Sequence, residues 1–123
     1  MRPDLTSIDE LAAIELVMEL IAIPGGPGDE TAVAARIKAE LIKNGFAARN
    51  IRHDKANRHT RCPSPTGNMI ACLPGRGKLR NAARRLLSTH MDTVPLCIGA
   101  VPLRKSRNRI VPAGNTALGG DNR

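Results

Sequence analysis

The chain has 123 residues, 41% of them apolar but only one aromatic, Phe46, so its core must be built from Leu, Ile, Val, Ala and Met. That length supports one domain with a modest core, because a domain of this size removes somewhat under about 70% of its unfolded surface from water. Nineteen Lys and Arg against eleven Asp and Glu leave a formal charge of +8, which points to an anionic partner or substrate, or to an acidic portion of the protein outside these residues.

In chain order, the first predicted element is a helix from about Ile8 to Ala22. Ser7 followed three residues later by Glu10 has the capping-box pattern, and Leu11, Ile14, Met18 and Ile21 recur at three and four residues as an apolar stripe. Pro24 ends it. The turn IPGGPGDE places Asp29 to cap a second helix over ETAVAARIKAELIK, residues 30–43, and Asn44-Gly45 stops that helix. Beyond it the hydrophobic period changes. FAARNIRHD (46–54) alternates loosely and reads as a strand, CPSPTG (62–67) as a loop, and NMIACL (68–73) and RRLLSTH (84–90) as short buried strands. PGRGKLRNA (74–82) reads as a solvated connection, and residues 101–123 as a basic, then glycine-rich stretch with one short strand around Arg109 to Val111.

Two helices followed by strands suggest a layered α/β domain, with helices packed on a mixed sheet. Turn chemistry is still building at TALGGDNR, so the chain reads as truncated, the N-terminal portion of a larger domain. MRPDLTSIDE carries acidic residues and no uninterrupted apolar core, so it is not expected to act as a signal peptide. The longest nearly apolar stretch, 16–23, falls short of the about 20 residues a bilayer requires. Cys62, Cys72 and Cys97 are odd in number and fit reduced thiols in a cytosol, so a cytoplasmic protein without a membrane partner is expected.

Two short stretches could carry chemistry. In an extended segment residues two apart share a face, so His90 and Asp92 in LLSTHMDTVP would project together, and a carboxylate that accepts one ring N–H of an imidazole prepares the other nitrogen for a metal. By itself the pair is a weak signal and reads as a strand end with solvated polar groups. Asp121 in ALGGDNR follows two glycines that let backbone approach a site closely, and alone it is a polar turn residue. His53, His59 and Cys62 match no zinc spacing and read as a polar loop, and Cys97 has no second histidine placed to activate it. LRKSRNR (103–109) is a candidate phosphate-binding patch, but without aromatic side chains to stack on bases it reads as a solvated loop rather than a nucleic-acid site.

Together GNMIACLPG, LLSTHMDTVP and NTALGGDNR, in this order, resemble the N-terminal part of the zinc-dependent aminoacylase and peptidase family that includes peptidase T, acetylornithine deacetylase, succinyl-diaminopimelate desuccinylase and carboxypeptidase G. HMDTVP and TALGGDN look most like peptidase T and other tripeptide aminopeptidases. The resemblance implies the catalytic domain of a layered zinc exopeptidase acting on amide bonds of small peptides. It implies His90 as a zinc ligand, Asp92 as the catalytic-site acid that clamps its imidazole, and Asp121 as the carboxylate bridging two zinc ions, with the Asp121-Asn122 bond cis in relatives. Cobalt or manganese could replace zinc at such ligands. Asn122 and Arg123 stand where relatives often carry an acid and a lysine.

The family's Glu-Glu pair, general base and later ligands are absent from these 123 residues, as is the inserted domain through which relatives form homodimers. Weak zinc binding and no hydrolysis by this chain alone are therefore expected. The alternatives are a deacylase or desuccinylase of N-acyl amino acids and a non-catalytic basic binding module.

Overall fold

Asp9 starts the first helix: its carboxylate accepts the backbone N–H of Ala12 at 3.0 Å, filling one of the donors a helix start leaves open. Helix α1 then runs over Glu10–Ala22. The structure, a computed structural model, describes residues 8–120, so the predicted partner Ser7 lies outside the described residues. Only one end of the predicted stripe is covered. Leu20 and Ile21 are buried and Ile14 and Met18 half-buried, whereas Leu11 is exposed.

Helix α2, Thr31–Lys43, is not capped by Asp29. Glu30 holds the N-cap position, and its carboxylate turns back to accept from Gly28 N at 2.8 Å and Ser64 Oγ at 2.6 Å, tying the helix start to the loop that joins the next two strands. The stop at Asn44-Gly45 forms as expected. Gly45 takes φ 92, its N–H donates to Ile42 O and that of Phe46 to Leu41 O, the paired arrangement that satisfies the last carbonyls of a helix. The two helices are joined by Arg36, which donates to both carboxylate oxygens of Glu19 (2.7 and 2.6 Å) and to Glu40 (2.9 Å). A cleft of about 270 Å³ lies beside that bridge, walled mainly by Leu16, Leu20, Ile37 and Leu41.

Strands β1 (Ile51–His53) and β2 (Met69–Ala71) pair antiparallel, with Ile51 opposite Ala71 and His53 opposite Met69. Both fall inside predicted strands but are shorter, because a 3-10 turn at Ala48–Asn50 occupies the start of the first run. Strands β3 (Pro102–Ser106) and β4 (Arg109–Pro112) form a hairpin with an irregularity between Arg104 and Ser106. Here β4 was expected, whereas β3 replaces a predicted solvated loop. Its residues 103–106 are exposed, but its backbone pairs with the apolar Ile110 and Val111, and β3 packs against α1. The two sheets are separate.

The clearest departure concerns RRLLSTH. Residues 84–90 form no strand, and Leu86 and Leu87 are 89% and 95% exposed. An apolar run becomes a buried strand only where another strand pairs with its backbone and a layer covers its face, and among the described residues nothing does either. The architecture is thus a small mixed α/β domain of two helices and two small antiparallel sheets, without a single mixed sheet among the described residues. Its buried side chains, Leu20, Ile21, Val33, Ala34, Ile51, Thr93, Cys97 and Ala100, draw the helices together with the segment after His90. No helix among the described residues is long and apolar enough to cross a membrane.

Candidate functional site

Although the predicted strand is missing, the segment that follows it is anchored. Thr93 N donates to Gly25 O at 2.9 Å, fastening the backbone beside the turn between α1 and α2. Thr93 is only 6% exposed, and Pro95 opens a 3-10 turn, Pro95–Cys97, that buries the Cys97 side chain. Burial keeps that thiol from the role of an exposed nucleophile, in line with its sequence context. The chain therefore enters the core immediately after Asp92.

His90 and Asp92 themselves stay at the surface, with side chains 63% and 37% exposed. They meet as the two-residue spacing predicts: Nδ1 of His90 lies 3.0 Å from Oδ1 of Asp92. An ionised carboxylate only accepts, so Nδ1 is the donor in this contact, and in the neutral ring Nε2 would then be the nitrogen with a lone pair. A strand is not required for this pairing; the local chain suffices.

The second motif is carried to the same place. Ala117 N donates to Leu96 O at 3.1 Å, and Gly119, at φ 64, is packed so closely that a Cβ there would overlap Thr93 Oγ1 and sit 3.0 Å from Cys97 Sγ. Gly120 lies against Ile21 in the same way, a Cβ there falling 3.0 Å from Ile21 Cδ1. TALGG thus packs on Thr93, on the turn at Leu96 and Cys97 and on Ile21, and its glycines are the residues that permit the approach. Asp121, the expected bridging carboxylate, and the Asp121-Asn122 bond lie outside the described residues.

The donor set is tested against zinc as it stands. A four-coordinate site takes three or four protein ligands, and among the described residues no group of three His, Cys, Asp or Glu side chains is gathered where a metal could be held. His90 and its clamp make one wall only. His53 and His59 contribute nothing to it: the His53 ring instead faces Gly67 O at 3.3 Å, on the β1–β2 loop.

Two features of the site were not legible in the sequence. The anchoring of Thr93 by Gly25 is a backbone bond across a long sequence separation and leaves no residue-type signature. The closeness of Gly119 to Thr93 could have been suspected from the glycine pair, but its target could not. No family model matches the chain, and no curated protein or solved structure matches it either.

Proposed function

We propose that this chain carries the histidine–aspartate wall of a metal-dependent amide hydrolase resembling peptidase T, acting on small peptides or N-acyl amino acids. The observation that supports the reading is the 3.0 Å contact between His90 and Asp92, with Gly119 of the TALGG run packed on Thr93, the residue that follows Asp92. In this reading Asp92 holds the imidazole in the Nδ1-protonated form and fixes its ring plane, so that Nε2 is presented as a ligand atom. Gly119 and Gly120 bring the backbone that precedes Asp121 against Thr93 and Ile21, which supports a carboxylate joining His90 at one site.

Zinc in such a site lowers the pKa of a bound water and polarises the amide carbonyl. The described residues do not complete its ligand set. Proton transfer in that chemistry also needs a general base, and the Glu-Glu pair that supplies it in the family is absent from the 123 residues. The test is to read the coding DNA past codon 123 and to assay the resulting product on a tripeptide with zinc present. The proposal expects an in-frame Glu-Glu pair and hydrolysis that His90→Ala abolishes. A stop directly after Arg123, or hydrolysis untouched by His90→Ala, defeats it.

A further inference from the structure

A second cluster lies apart from His90. The stretch ARNIRHDKANRHTR (48–61) sets Arg49, Arg52, Lys55, Arg58 and Arg61 three residues apart, with Asp54 as the one carboxylate among them. Past β1 the chain folds over itself in a 3-10 turn, Ala56–His59, and returns through Ser64 and Gly67 to β2. Asn57 Nδ2 donates to Ser64 O at 2.6 Å and Thr60 Oγ1 to Cys62 O at 2.9 Å, which hold the loop closed. Between its limbs is a cavity of about 300 Å³ whose walls include His53, Asp54, Lys55, Arg58 and Thr66.

The electrostatics of this cavity are unbalanced. Asp54, the carboxylate in its wall, is already held by three N–H donors: Ala56 N at 3.0 Å, Asn68 N at 2.9 Å and Asn68 Nδ2 at 2.9 Å. Those bonds, first of all the one from Ala56, keep its carboxyl below the usual aspartate value, and the charge of Arg52 acts in the same direction. Asp54 is therefore spent on shaping the loop. Lys55 and Arg58 take part in no ion pair among the described residues, in contrast to Arg36, which takes two. Gly67 permits the tight return, since a Cβ there would overlap the carbonyl oxygen of Asp54. Lys55 and Arg58 thus line a preformed cavity in which Asp54, its lone pairs engaged by three amide N–H groups, is the single opposing charge, and the volume is at the small end of those that hold small ligands.

We propose that this cavity binds a phosphate group, as the free ion or as a small phosphomonoester, through Lys55 and Arg58. A phosphate near neutral pH carries up to two negative charges and several acceptor oxygens, which match one point-charge ammonium and one forked guanidinium. The inference rests on neither His90 nor Asp92 and is independent of the hydrolase reading. The test is calorimetric titration of the full chain, at constant ionic strength, with inorganic phosphate and with methyl phosphate.

Saturable binding is expected for at least one of the two, weakened about tenfold or more in the double variant Lys55→Ala/Arg58→Ala, as loss of two charge-assisted contacts requires. The control Lys105→Ala/Arg109→Ala removes the same charge from the β3–β4 hairpin and should leave binding unchanged. Retained affinity for methyl phosphate identifies an ester as the ligand, and loss of it identifies the free ion. Absence of saturable binding of both probes, or equal weakening by the two double variants, overturns the proposal. Far-UV circular dichroism of each variant separates lost binding from lost fold, and Lys55 and Arg58 are exposed side chains that the core does not use.

Discussion

Gly119→Ala is the substitution that most sharply tests the packing of TALGG on HMDTVP. Two costs should fall on it. The residue sits at φ 64, where an L side chain is strained by roughly 1–2 kcal/mol. Its new methyl would also overlap Thr93 Oγ1 and press on Cys97 Cβ and Sγ at 3.0 Å, and both neighbours are short, buried side chains that cannot swing aside. Overpacking of that kind costs about 1–3 kcal/mol, so the total is about 2–5 kcal/mol. Two other glycines separate the terms. Gly99 has φ 77 with open space around its Cβ position, and Gly114 has neither positive φ nor neighbours.

Urea unfolding followed by circular dichroism at helix wavelengths is the suitable assay, because the chain has no Trp or Tyr to report by fluorescence. Gly114→Ala should be near neutral, Gly99→Ala should lose about the strain alone, roughly 1–2 kcal/mol, and Gly119→Ala distinctly more. Equal losses at Gly99 and Gly119 would show that the two motifs do not pack together, and the assembly of the candidate site would fall with them.

Two further predictions concern exposure and charge. Leu87→Glu should change stability by no more than about 0.5 kcal/mol, as at other solvated positions; a loss of several kcal/mol in the same unfolding assay would mean that RRLLSTH is a buried strand after all. Arg36→Met removes the bridge between α1 and α2. The guanidinium holds the carboxyls of Glu19 and Glu40 below their ordinary value of 4.5, so its stabilisation is fully present above that pH and is lost as the pH falls through the lowered folded-state values. The stability gap between the parent and Arg36→Met should therefore be widest near neutrality and close in acid. A gap independent of pH would remove the ion pairs as its cause.

What could be read from the sequence follows the range of the forces involved. Both helices were legible because caps, breakers and the 3.6-residue stripe act within a turn or two, and α2 stops at Asn44-Gly45 as its sequence predicts. The start of α2 was misassigned by one residue, since the choice between Asp29 and Glu30 was made by Ser64, a hydroxyl thirty-four residues away. Strand formation is less local. Leu86 and Leu87 have the composition of a strand but lack a pairing partner among the described residues, whereas the charged run 103–106 becomes β3 because Ile110 and Val111 lie one tight turn away. At the candidate site the His90–Asp92 contact was readable from a spacing of two. Its anchoring by Gly25 and its cover by Gly119 arise from chain segments brought together only by folding.

We propose His90, held by Asp92, as a metal ligand through Nε2. The most direct measurement is the histidine side-chain ¹H–¹⁵N spectrum during titration with zinc, which is tractable because the chain has three histidines, His53, His59 and His90. Nε2 of His90 should shift on metal addition while its Nδ1 proton persists, and Asp92→Asn should weaken the response by about tenfold or more. His90 resonances that stay unmoved while zinc is taken up by His53, His59 or the exposed Cys62 and Cys72 would contradict it.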